Sequence, residues 1–178
     1  MPTEPRKTAS AKIDLTDQEL RDITAYAAAC AHRALPIFEQ SEPTDPRPGE
    51  ALDAALVFAA GGRRTAVLRN RAWAAFKAAR EASTPAAADA ARAASHAAAA
   101  AYLHPLADAH QVKHILGAAA HAARAEELAL AAPGTLDWAR RHAPRAVTDV
   151  LARLPDAPAG GGRVGRLVRE LDAALRAL

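Results

Sequence analysis

Apolar residues recur along this chain at spacings of three and four, and no segment shows the period-two alternation of a strand. The first helix opens at "LTDQEL", where Thr16 reads as an N-cap and Glu19 as its N3 partner. That is a capping box, with Leu15 and Leu20 placed for the hydrophobic staple. Leu20, Ile23, Ala27, Cys30, Ala34 and Phe38 then fall on one stripe, with Arg21, Asp22, His32 and Arg33 opposite. Pro36 should bend or end this helix near residue 40. "SEPTDPRPGE" is a proline-rich turn into a second helix over 48–60, which Gly61 and Gly62 stop. A third helix is expected over 63–82 and a fourth over 85–102, capped by "STP". A long fifth helix follows the His104-Pro105 break and runs over 105–131. A sixth covers 135–154, kinked or split at Pro144. "PDAPAGGGR" reads as a flexible linker. The last helix, 163–177, carries Val164, Leu167, Val168, Leu171 and Leu175 on one narrow stripe that should dock on the body. Residues 1–13 read as a disordered tail and 14–178 as one domain. The pattern is that of an all-α, single-domain bundle of about seven helices.

Composition changes the picture of the core. The chain has 52 alanines against 30 Leu, Ile, Val and Met together. Alanine is the best helix former and lets helices approach closely, but it buries little area. The larger aliphatics must therefore supply most of the burial energy, at roughly 1.5–3 kcal/mol each. Helix four is so rich in alanine that it is either the central buried helix or, if exposed, a homodimer interface; the first reading is favoured. The few aromatics Trp73, Phe76 and Trp138 are read as core anchors rather than a stacking platform.

Charge and cysteine usage narrow the functional classes. Arginine outnumbers lysine 19 to 4, and the net charge is +3. With so much alanine, proline and glycine, this matches GC-rich coding rather than selection for phosphate binding. The mild positive charge permits an acidic partner without requiring one. The single cysteine, Cys30, rules out an intrachain disulfide framework, and its place on the apolar stripe marks a buried, inert thiol. "MPTEPRKTASAKI" lacks the apolar region of a signal peptide. "AASHAAAAAYLHPLA" is too short, and broken by Pro105, to span a bilayer. A cytoplasmic location is expected.

Candidate chemistry concentrates in the histidines, five of which lie between His96 and His121. With helix five as a regular helix, His110, His114 and His121 share one face within about 40°, and Val112, Ile115, Leu116, Ala119 and Ala123 lie opposite. The aliphatic stripe should therefore pack inward, leaving the imidazoles to water, a neighbouring helix or a partner. "HQVKHILGAAAH" resembles a zinc-protease helix only superficially. Gln111 stands where the general base would be, and the third histidine comes one residue late. His110 and His114 are the metal candidates as an i, i+4 pair, completed by His96 or His104. The favoured reading is a polar face with no metal and no cofactor. Helix three is the most basic, with Arg63, Arg64, Arg69, Arg71, Lys77 and Arg80, but on a wheel over 63–82 these scatter rather than form a phosphate-tracking stripe. No P-loop, no G-x-S-x-G and no nuclease-type acidic cluster is present.

Three segments carry a family resemblance: "AAACAHRALPIFE", "PTDPRPGEALDAALVFAAG" and above all "AAAYLHPLADAHQVKHILGAAAHAARAEEL", followed by the "LARLPDAPAGGGRVGRLVRELDAALRAL" tail. Through them the chain resembles the Imm-5-like family of actinobacterial immunity proteins over most of residues 15–178. The resemblance implies a small cytoplasmic helical protein that binds and blocks a toxin domain of a polymorphic toxin system, without catalysis. No catalytic residue carries over from it. Two other readings compete. One is a metal-dependent protein using the histidine-rich helix 105–131. The other is a nucleic-acid-associated protein, of the kind some relatives are labelled as exonucleases, using the basic helix 63–82. The residues show neither metal-binding acids nor an ATPase head for an exonuclease.

Overall fold

The computed structural model describes residues 11–178. Among them it holds eight α-helices and no strand: α1 (Asp17–Ser41), α2 (Arg47–Ala59), α3 (Ala66–Glu81), α4 (Pro85–Ala99), α5 (Val112–Ala129), α6 (Thr135–His142), α7 (Arg145–Leu151) and α8 (Gly162–Arg176). Two 3₁₀ turns, Ala100–Tyr102 and Ala109–Gln111, bracket the connection between α4 and α5. No helix is long and apolar enough to cross a membrane.

α4 is the axle of the bundle. It lies against α1, α2, α3 and α5, and Ala87, Ala90, Ala91, Ala93, Ala94, Ala97 and Ala98 are buried across about half of its circumference. Methyl-sized side chains bring its neighbours' backbones close, and larger residues fill the spaces beyond. Ile23 and Phe38 of α1, Leu52 of α2, and Ile115 and Leu116 of α5 are fully buried around it. α8 packs on α5 through Leu167, Val168, Leu171 and Leu175, as its stripe predicts.

The capping box at α1 is formed: the Thr16 amide donates to Glu19 Oε2 at 2.8 Å, and the Glu19 amide to Thr16 Oγ1 at 3.1 Å. Pro36 does not break α1. It sits on the exposed side, where the carbonyl it leaves unbonded faces water.

The structure departs from the sequence pattern in four places. Residues 1–10 of the expected disordered tail lie outside the described residues, but Ala11–Ile13 are extended against the segment before α5. Lys12 bridges Leu106, the Ile13 amide donates to Pro105 O at 3.1 Å, and the Ala107 amide to Ala11 O at 2.7 Å. α5 begins at Val112, not at 105, because Asp108 caps the preceding 3₁₀ turn through its bond from the His110 amide (2.7 Å) and the chain before it is a strap. α3 begins at Ala66, leaving Arg63 and Arg64 outside the helix. The sixth helix is split at Pro144, as the proline predicts, into α6 and α7. Finally, Trp73 is no core anchor: it is 60 % exposed and stacks on half-buried Phe76 with ring centroids 5.2 Å apart.

The turn from α5 to α6 is built on a buried carboxylate. Glu126 is 3 % exposed; its Oε2 accepts from the amides of Gly134 (2.8 Å) and Thr135 (2.7 Å), and its Oε1 from the Thr135 hydroxyl (2.6 Å). Arg33 of α1 donates to the same hydroxyl oxygen at 2.8 Å. The carboxylate thus satisfies amides at the start of α6 that no helical carbonyl reaches. Removing it leaves those donors buried and unpaired. Glu126→Ala should lower unfolding free energy by about 2–4 kcal/mol in guanidinium melts, with Glu126→Gln less costly because it keeps an acceptor.

Candidate functional site

Two surfaces carry chemistry. The first lies between α4, α5 and the chain entering α8. On α4, Asp89, Arg92 and His96 follow helical spacing on one face; on α5, Lys113, Gly117 and His121 do the same, and the two rows meet to form one wall of a cleft of about 480 Å³. Pro158 through Gly161, Val164, Gly165 and Val168 form the opposite wall, and His110 stands at the rim.

The histidines do not share one solvent-facing side. His121 Nδ1 lies 2.8 Å from Asp89 Oδ1; an ionised carboxylate only accepts, so this nitrogen carries the proton and donates. Arg92 approaches the same oxygen at 3.6 Å. The His96 ring stacks on that of His121, centroids 4.9 Å apart. Gly117 makes room for it: a Cβ at 117 would stand 2.6 Å from His96 Nδ1. Burial first, then the imidazoles of His121 and His114 and the Lys113 ammonium, push His96 down to about 3; a hydrogen bond with the Lys113 backbone opposes them. His96 is therefore uncharged at neutral pH. His114 is not part of the cleft lining. Its Nδ1 is buried without a hydrogen-bond partner, and burial, with His104 and Lys113 adding to it, lowers its affinity for a proton.

His110 sits in the 3₁₀ turn ahead of α5, so it and His114 are not an i, i+4 pair on one regular helix. Among the described residues, no three His, Cys, Asp or Glu side chains are grouped closely enough to hold a metal ion. The cleft lining holds no serine, threonine or cysteine. Cys30 lies in the core, where burial pushes its thiol up to about 12. The Asp89–His121–His96 row is suited to binding or proton exchange. A neighbouring hollow of about 330 Å³ between α5, α6 and α8 contains no histidine.

The far wall, on the stretch expected to be a flexible linker, is tied to α8 by hydrogen bonds. Arg169 donates to the carbonyls of Pro158 (3.0 Å) and Gly160 (2.7 Å), and Arg176 to those of Leu154 (3.0 Å) and Pro155 (3.1 Å). Buried Asp172 accepts from the Ala157 amide at 2.9 Å.

The second surface is the outer face of α3. With Arg63 and Arg64 off the helix, and Arg71 turned onto Glu50 of α2, the remaining cations no longer scatter. Arg69, Trp73, Lys77 and Arg80 follow i, i+4, i+8, i+11 spacing and are all exposed. None of the three cations pairs with a carboxylate among the described residues. The Arg69 guanidinium lies 4.6 Å from the centroid of the Tyr102 ring, which steadies the upper end of the stripe.

The family model described as Imm-5 like putative immunity protein matches residues 14–146. The chain belongs to that family. Neither a curated protein nor a solved structure matches it. The region shared with the Imm-5 like family includes α3 and the α4–α5 wall of the cleft; the glycine-containing wall at 158–168 lies beyond it.

Two outcomes test this geometry. Gly117→Ala should cost about 1–3 kcal/mol, and His96→Ala in the same chain should recover part of the loss, as read from denaturant melts. The unfolded chain takes up a proton at His96 near the ordinary value of 6.5 while the folded chain resists down to about 3. Stability is therefore retained above about pH 6.5 and falls as pH drops toward 3. Wild type should lose urea resistance between about pH 7 and about pH 5, and His96→Gln should lose less.

Proposed function

We propose that this chain is an immunity protein that neutralises a toxin inside the cell by binding it, without catalysis, and that the outer face of α3 is its contact surface. Family membership supports the class of function. The α3 stripe is the observation that carries the choice of surface. A tryptophan with most of its area in water has no role in the core, while Trp and Arg dominate the energetics of protein interfaces. Three cations with no carboxylate partner among the described residues, around an indole and its Phe76 neighbour, suit a partner with an acidic rim and an apolar pocket. The field of those cations speeds encounter, and the indole slows escape.

A short basic stripe would also attract nucleic acid, but only through salt-sensitive phosphate contacts, and the apolar indole at its centre favours protein.

The test is a pull-down and growth rescue with the product of a neighbouring toxin-like gene. Wild type should bind it stoichiometrically and restore growth. Trp73→Ala should weaken the complex by about 30-fold or more, and Lys77→Glu should chiefly slow association and flatten its salt dependence. Rescue unaffected by either change would remove α3 as the contact face. Failure of wild type both to bind and to rescue would overturn the immunity reading.

A further inference from the structure

The cleft between α4, α5 and the entry to α8 has no part in that reading, and its chemistry is distinct. It is concave, about 480 Å³, within the range of small-molecule sites. Its side chains are unequal in what they leave free. The one carboxylate, Asp89, is engaged by His121 and approached by Arg92. Against it stand Arg92, Lys113 and three imidazoles, and Lys113 forms no ion pair among the described residues. Free donors and positive charge therefore exceed free acceptors.

The opposite wall adds backbone instead of side chains. Gly160 and Gly161 are in left-handed conformations (φ +88° and +74°), and their amides have no protein acceptor among the described residues. Gly165 lets this turn lie on the first turn of α8: a Cβ there would stand 2.0 Å from Gly160 O. The carbonyls of Pro158 and Gly160, which would repel an anion, are already taken by Arg169. Val164 and Val168 supply an apolar flank beside the stacked imidazoles. The walls are held by packing and hydrogen bonds before any ligand arrives, which limits the ordering cost of binding.

We infer that this cleft is a binding site for a small organic molecule bearing a phosphate or diphosphate group. Lys113 and Arg92 meet the oxyanion from the α4–α5 side, and His110 closes the rim. The apolar flank and the His96–His121 stack receive the uncharged part of the molecule. The site takes a single ligand and is independent of the α3 face.

Calorimetric titration with inorganic phosphate, pyrophosphate and adenosine monophosphate tests this, alongside ring resonances of the histidines by NMR. One saturable site is expected for pyrophosphate or the nucleotide, moving the His96, His110 and His121 signals and leaving His32 and His142 in place. Lys113→Glu, an exposed position where the fold tolerates change, should weaken binding about tenfold or more, as should Arg92→Ala. Lys77→Glu on α3 should bind as wild type does, so loss of toxin neutralisation and loss of this site are separable. No saturable heat with any of the three probes to about 10 mM would overturn the inference. So would binding that Lys113→Glu and Arg92→Ala leave unchanged while both variants melt as wild type does.

Discussion

Close approach of helices is the constraint on which the rest of this molecule depends. Two thirds of α4 is alanine, and four helices crowd onto it because nothing larger than a methyl group stands between most of their backbones. The thinness of that layer brings α4 and α5 near enough for Asp89 to meet His121 and for His96 to lie on the backbone at Gly117. A leucine at any buried α4 alanine would force the helices apart and pull these rows out of register. The histidine row follows from the packing and does not organise it.

The two surfaces differ in how they are made. The cleft is a product of three-dimensional assembly: two helical rows from α4 and α5, and a wall that arrives some forty residues later in the chain and is tied down by arginines of α8. The α3 face is local, written on one helix in four side chains, and needs the bundle only to hold that helix outward. Division of labour of this kind lets a protein meet a large partner on one side and a small molecule on another without either competing for the same groups.

Much of the fold is legible from residue order. The stripe from Leu20 to Phe38, the capping box at Thr16 and the docking stripe of α8 all rest on local periodicity, which survives folding. The site is less so. His110 and His114 look like a pair only if the helix runs through them, and the start of α5 is decided by Asp108, a capping residue that competes with the proline signal at 105. Asp89, Arg92 and His96 do share a face by spacing, yet nothing local says that the Lys113, Gly117 and His121 row faces them. The α3 stripe is hidden by Arg63 and Arg64, which share its charge but not its helix, and by Arg71, whose partner lies on α2. The 155–161 segment looks mobile because its own composition is Pro, Ala and Gly; the guanidiniums that fasten it come from the next helix.

The chain's two indoles live in contrasting surroundings. Trp73 stands in water, while Trp138 is half-buried, stacked on His142 at 4.3 Å with the Arg33 guanidinium 5.2 Å from its ring centroid. An imidazole in contact with indole tends to quench it, so most of the ultraviolet emission should originate from the outer indole and shift to shorter wavelength when that face is covered. The molecule thus carries a built-in optical label at α3, and the second indole, beside α1 and α6, serves as its internal reference.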